Sequence, residues 1–249
     1  MCTFVHYTMK FFGLLFLLFS LSDALRVGTY NIRVPVDGPP NDWAARRPRI
    51  TSLIEKYNID ILAVQEAGQV TVNDIVSSLS GYCIVDQPIF DNAIIYKCDI
   101  PLITSSMWAI SSTPSQIGSN SWGLAYARTL LFAKFMDGNT CLRLYATHLD
   151  IIPKDIQQTF IIERLNESPY KGTAILVGDF NTDGLNILKS YGFVDTGEQA
   201  PTFNGFGGYG GAKIDYILAK DYANVTSTII YDTVDGYFPS DHALMIADV

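Results

Sequence analysis

The sequence predicts a layered α/β fold in which β-sheets carry helices on their outside. Short runs rich in branched and aromatic residues recur along the chain, and helical patterns lie between some of them. Other runs are joined directly as hairpins. Helix-linked strands and hairpins in one chain mean layered sheets with helices packed outside them.

The strand-like runs are residues 26–32, 59–64, 129–135, 142–147, 173–177, 214–219 and 244–249. Residues 48–57 read as a helix because Ile50, Leu53 and Ile54 share one face, and residues 72–79 and 156–165 also carry helical patterns. A hairpin links residues 82–85 to 93–96. No repeat, low-complexity tract or linker divides residues 25–249, which therefore read as one domain.

Ahead of that domain, Lys10 precedes an apolar run, residues 11–21, that ends at the small residues Ser22 and Ala24. This is the layout of a secretory signal peptide over residues 1–24, and it predicts a secreted protein without a stable membrane anchor. The alternative is a membrane span, but a span needs about 20 apolar residues and this run is interrupted at Asp23 and Arg26. Cys2 and His6 leave with the signal. Cys83 and Cys98 flank the hairpin, and equal offsets from its turn place them opposite each other. A cross-strand disulfide and free thiols both stay open on that reading. Cys141 reads as a buried strand residue.

The formal net charge is -8. Proteins that hold long nucleic acid by its backbone present a Lys/Arg stripe, and none is visible here. Clustered carboxylates hold hard cations instead, and a bound cation then neutralises a substrate phosphate.

The chemistry is read from where the polar residues fall. Asn31 closes the first strand, Glu66 follows the second, His148 follows residues 142–146, and Asp179 with Asn181 follows residues 175–177. Asp215 starts a strand, and Asp241 with His242 opens the last one. Strand ends are fixed points on a rigid scaffold, so groups gathered there converge on one cleft. Singly, each has an ordinary explanation as a turn or a solvated strand end; the set carries the argument. His148 and His242 each stand close to an Asp, and there is no His-Glu-x-x-His or Cys-x-x-Cys to hold zinc. Oxygen donors remain, which suit Mg²⁺, Mn²⁺ or Ca²⁺. The glycine-rich stretch at residues 205–210 spells a dinucleotide fingerprint but precedes a strand, so it offers no helix N-terminus to a pyrophosphate.

The ordered series Thr29-Tyr30-Asn31, Gln65-Glu66, Thr147-His148-Leu149-Asp150, Gly178-Asp179-Phe180-Asn181, Ile214-Asp215-Tyr216-Ile217 and Pro239-Ser240-Asp241-His242 resembles the endonuclease/exonuclease/phosphatase superfamily. Asp42-Trp43 with Arg46, residues 122–128, Thr202-Phe203-Asn204-Gly205 and Asp235-Gly236 are similar to its secreted bacterial-type members. Trp43 with Arg46 also resembles the deadenylase branch. The sequence departs at Arg33, where repair enzymes carry an acid, at Ile151, where close relatives often have a second His, and at Phe90, where they often place Glu.

The resemblance implies an α/β, four-layer αββα sandwich of two mixed β-sheets, DNase I-like. It implies a metal-dependent phosphoester hydrolase, a phosphodiesterase or nuclease that attacks phosphorus in line with an activated water. Glu66 is then the principal ligand of Mg²⁺ or Mn²⁺, supported by Asn31 and Asp241. Asp179 activates the water, Asn181 holds it, Asp215 orients His242 so that its charged ring stabilises the transition state, and His148 donates to a second phosphate oxygen. The partner is a phosphoester substrate met by a monomer, with nucleic acid as one option and lipid head groups or sugar phosphates as the alternative. A catalytically silent binding protein is the contrasting reading. Arg46, Arg47 and Arg49 stand either as a grip on phosphate or as a solvated helix start.

Overall fold

The computed structural model describes residues 24–138, 140–222 and 224–249, so all but the last residue of the segment read as a signal peptide lies outside the described residues. The chain runs β1 (Arg26–Asn31), α1 (Trp43–Lys56), β2 (Ile61–Ala67), α2 (Gln69–Ser78), β3 (Tyr82–Ile84) and β4 (Asp91–Lys97). It continues with β5 (Leu102–Ala109), β6 (Thr129–Asp137), β7 (Thr140–His148), α3 (Lys154–Glu167), β8 (Ala174–Asp179), α4 (Asn186–Ser190), β9 (Val194–Asp195) and β10 (Asp215–Lys220). It ends with β11 (Ser227–Ile230) and β12 (Leu244–Asp248). Two six-stranded sheets result, ordered β11-β12-β1-β2-β4-β3 and β5-β6-β7-β8-β10-β9.

Side-chain alternation decides the layering. In β2, Ile61 and Ala63 point to the interior between the sheets, while Leu62 and Val64 point outward. The inner residues meet Leu131, Ala133, Leu144, Ala146, Ile175 and Val177 of the second sheet. The outer face of the first sheet is covered by Ile50, Leu53 and Ile54 of α1 and Val72 and Ile75 of α2. On the far side, Phe160, Ile161 and Leu165 of α3 and Leu188 of α4 cover Leu176 and Leu218. Because both faces of the central strands are buried, their sequences are continuous apolar runs. The expected αββα sandwich is the one observed.

Among the described residues, β1 with β2 and β7 with β8 pair in parallel and the other strand pairs are antiparallel. A parallel neighbour requires a crossover, and α1 and α3 supply one each. The arrangement gathers the C-terminal ends of β1, β2, β7 and β8 with the N-terminal ends of β4, β6, β10 and β12 along one edge of each sheet. That edge is where the polar residues of the motifs stand.

Three strands that the sequence runs do not mark, β5, β9 and β11, belong to sheet edges. An edge strand buries less and carries polar residues, as Thr104, Ser105 and Ser106 do in β5. Cys83 and Cys98 form a disulfide with Cα atoms 5.1 Å apart. They are not directly opposed: Cys83 pairs with Tyr96, and the Cys98 N–H donates to Gly81 at 2.8 Å, so the bond runs diagonally across the ladder. Cys141 is free and half-buried rather than buried, its Sγ 3.8 Å from Met136 Sδ. The glycine-rich stretch forms a turn in which Asn204 O accepts from Gly207 N at 2.9 Å and Gly208 N at 3.1 Å. Among the described residues, no helix is long and apolar enough to cross a membrane.

Candidate active site

The site begins with a backbone irregularity. In β2 the even-numbered side chains face the helices, so a regular strand would send Glu66 outward. A β-bulge between Gln65 and Ala67, with Glu66 at φ 55°, turns the side chain to the sheet edge instead. Its carboxylate accepts from Asn31 Nδ2 at 3.1 Å and from Val34 N at 2.8 Å. Arg33 (φ 57°), Asp91 (φ 62°) and Asn181 (φ 51°) share this left-handed conformation. Side chains with a Cβ adopt it at a cost, and such strain concentrates at functional sites.

Asp179, at the end of β8, is the centre of the arrangement. One carboxylate oxygen accepts from Asn31 Nδ2 at 3.1 Å and lies 3.5 Å from His148 Nε2 and 3.7 Å from His242 Nε2. The other accepts from Asn181 N at 2.8 Å. Behind His242, the fully buried Asp215 sits 2.9 Å from Nδ1. Burial alone would push the His242 ring toward its neutral form. The charges of Asp215, Asp179 and Asp241 outweigh it and push its pKa up to about 10, which keeps the ring an imidazolium at neutral pH. Asp215 itself is raised by burial. The Phe203 ring packs edge-on against His242 at 5.1 Å and fixes its plane.

A second acid and imidazole face this pair. His148 Nδ1 lies 3.1 Å from Asp91 Oδ2, which also accepts from Arg128 Nη1 at 2.7 Å. Burial raises the Asp91 carboxyl, but His148 and Arg128 together hold it below its ordinary range. Asn181 Nδ2 stands 3.0 Å from His148 Nε2 and donates to Leu149 O at 2.9 Å. Asp91 thus supplies the acid that Phe90 lacks, one position later, where the left-handed backbone opens β4. Neither Asp91 nor Arg128 was singled out as a site residue from the sequence. The signals that point to them are an acid opening one strand and a lone basic residue immediately before another.

Glu66, Asp179, Asn181, His148, Asp241 and His242 line one cleft of about 330 Å³, with Arg33 and Arg128 at its walls. Asp215 lies behind it. Asn31 joins the cluster as a donor: its oxygen accepts from Arg33 N at 3.0 Å while its NH₂ faces Glu66 and Asp179. Asp241 is raised by burial, and Glu66 adds to the effect; the opposing His242 and Arg33 do not cancel it. Arg33 approaches Asp241 only to 3.6 Å. Two carboxylates sharing excess negative charge, both oxygen donors, fit a hard divalent cation. Asp179, Asp215 and His242 also bring ligand-type atoms within 4.8 Å of one another. There, however, His242 is engaged by Asp215 and carries positive charge, which opposes a cation.

Arg46 neither grips phosphate nor is solvated. It is fully buried and donates to the backbone oxygens of Ile32, Asn41 at 2.8 Å, Arg33 at 3.0 Å and Val34 at 3.2 Å, clamping the segment that follows β1. Arg47 is exposed, and Arg49 donates to Pro40 O at 3.0 Å and packs over Tyr237.

A four-layer sandwich with carboxylates and imidazoles opposed across one end defines a class, the metal-dependent phosphoester hydrolases. The sequence pattern of the Endonuclease/Exonuclease/phosphatase family matches residues 28–242, and the chain belongs to that family. Among solved structures it is similar to a Bacteroides thetaiotaomicron mannosyl-6-phosphatase, with TM-score 0.81, 23% identity, and 90% of this chain and 99% of that one covered. A functionally unknown conserved protein of Enterococcus faecalis gives TM-score 0.79 at 24% identity, covering 90% and 98%. TDP2 of D. rerio, complexed with a single-strand DNA product, gives TM-score 0.69 at 16% identity, covering 90% and 97%. These likenesses show the fold. No curated protein matches the chain.

Proposed function

We propose that this protein is a secreted, Mg²⁺- or Mn²⁺-dependent hydrolase of small phosphoesters, acting by in-line attack of water on phosphorus. The observation that carries the reading is Asp179, a carboxylate held by the Asn31 amide and set between two imidazoles at 3.5 and 3.7 Å. Asp179 takes the proton of the attacking water, and the Asn181 side chain steadies that water. His242, charged and oriented by Asp215, offers Nε2–H to a phosphoryl oxygen as charge builds there. His148, backed by Asp91, faces a second oxygen once substrate displaces the Asn181 amide. Glu66 and Asp241 would hold the cation, which when bound neutralises phosphate charge and orients the displacement.

A small substrate is favoured over nucleic acid by the cleft's charge. Arg33 is ion-paired with Asp37 at 3.1 Å, and Arg128 with Asp91 at 2.7 Å. Among the described residues that line the cleft, a polyanion finds no unpaired Lys or Arg to follow. The test is a panel of DNA, RNA, sugar phosphates and small diesters with Mg²⁺, with Mn²⁺ and with chelator. Hydrolysis of small esters that vanishes in EDTA is expected. No turnover of any ester under either metal would leave the silent binding protein in its place. N-terminal sequencing of material recovered from the medium tests secretion, with Leu25 as the expected first residue.

A further inference from the structure

We propose that the catalytic cleft continues into an apolar trough that receives the alcohol portion of the ester, so that the preferred substrate joins one phosphate to an apolar group. The inference rests on the phosphoester reading above and names the substrate class for that same site. A cavity of about 510 Å³ lies beyond Glu66 and is walled by Val34, Pro35, Ala67, Val70, Phe90 and Tyr126. A space of about 280 Å³ lies between it and the catalytic cleft, and Glu66, Tyr126 and Arg128 line all three. A phosphate held at Glu66 and His242 therefore has, on its Glu66 side, a polar neck flanked by Arg33, Asp91 and Arg128 and, past it, the apolar trough.

Two features of that channel argue for an occupant rather than incidental exposure. Val70 is 70% exposed and Tyr126 64% exposed, so large apolar surface faces water beside a polar centre. Apart from the imidazoles His148 and His242 at the polar end, the basic residues along the route are Arg33 and Arg128, and both are ion-paired within the protein. One phosphate is served by the polar end. A second phosphate further along would meet valine, proline and phenylalanine and find no unpaired cation there.

The experiment is calorimetric titration of methyl-, butyl- and hexylphosphonate, whose P–C bond the site cannot hydrolyse, into the protein with Mg²⁺, repeated on Val70→Asp and Val70→Leu. Val70 projects from α2 at the surface, outside the acid–imidazole cluster, so neither change disturbs folding. The affinity should rise about twofold per added methylene, roughly half the free energy of complete burial, or about 30-fold from methyl to hexyl. Val70→Asp should flatten that series, and Val70→Leu should keep it. Equal affinity for methyl- and hexylphosphonate overturns the proposal, as does a chain-length gain that survives Val70→Asp or tighter binding of a thymidine dinucleotide than of hexylphosphonate. Turnover of 4-nitrophenyl phosphate and of methyl 4-nitrophenyl phosphate, a monoester and a diester measured in parallel, reports on the phosphoester reading itself. Turnover with a flat binding series removes the trough alone, and a steep series without turnover removes the hydrolase reading alone.

Discussion

The Asn31 amide donates to Asp179 at 3.1 Å across the interface between the two sheets, from the end of β1 to the end of β8. The same NH₂ group reaches Glu66. Removing it as Asn31→Ala frees two carboxylates at once. We expect kcat to fall by about 10²-fold, the usual cost of misplacing a reacting group by an ångström. Steady-state kinetics beside a thermal melt would check this; a melt that collapses together with the rate would make Asn31 a folding residue only.

Asp179 and Glu66 should fail in different ways. Asp179→Asn is expected to lower kcat by at least about 10²-fold at every Mg²⁺ concentration, as loss of a general base does. Glu66→Gln should instead weaken the cation, so that part of the rate returns at high Mg²⁺. His242→Ala should follow the first pattern. Titrating kcat against Mg²⁺ for each variant separates them, and three variants with normal kcat would end the catalytic reading.

Asp91 should matter to stability in a pH-dependent way. Its folded pKa lies below the ordinary value of 3.8, because His148 and Arg128 outweigh burial. A depressed carboxylate contributes fully above about pH 4, and the contribution is lost as pH falls through the folded pKa. Asp91→Asn should therefore cost about 3 kcal/mol at pH 7, the scale for breaking a buried pair, and less at pH 3. Urea unfolding at the two pH values measures it; an equal cost at both would refute the ion-pair account.

Gly178 admits no side chain. A Cβ there would lie 1.9 Å from the Thr147 carbonyl oxygen, and the residue sits at φ 147°. Gly178→Ala must push β8 from β7 where Asp179 and His148 meet, and it should cost more than about 4 kcal/mol. A near-normal melting curve would contradict this.

The disulfide between Cys83 and Cys98 spans a sequence separation of 15 and should add about 3 kcal/mol by limiting the unfolded chain. Peptide mapping without reduction should find that bridge and a free Cys141. Cys141 in any bridge would show the pairing to be wrong.

The central strands and their polar ends were legible because double burial makes an apolar run and a polar residue interrupts it, as at Glu66, His148 and Asp179. What the sequence hides is conformation that has no spelling. The left-handed backbone at Glu66 and Asp91 aims both carboxylates, yet neither residue is a glycine that would announce it. Arg46 looked like a surface cation because its partners are backbone oxygens, which no side-chain pattern reveals. The edge strands β5, β9 and β11 escaped because an edge makes little demand on hydrophobicity.

The division of the cluster between two sheets has a mechanical meaning. Asn31, Glu66 and His242 ride on one slab, and His148, Asp179 and Asp215 on the other. The gap between the slabs is filled by large residues such as Ile61, Leu131 and Ile175 with small ones such as Ala63, Ala133 and Ala146 between them. Thickening that filling by a methylene or two would cost a modest fraction of folding energy. The same displacement would part the clustered acids and imidazoles far from the altered residue, so turnover should be a finer gauge of the protein's internal spacing than its melting temperature.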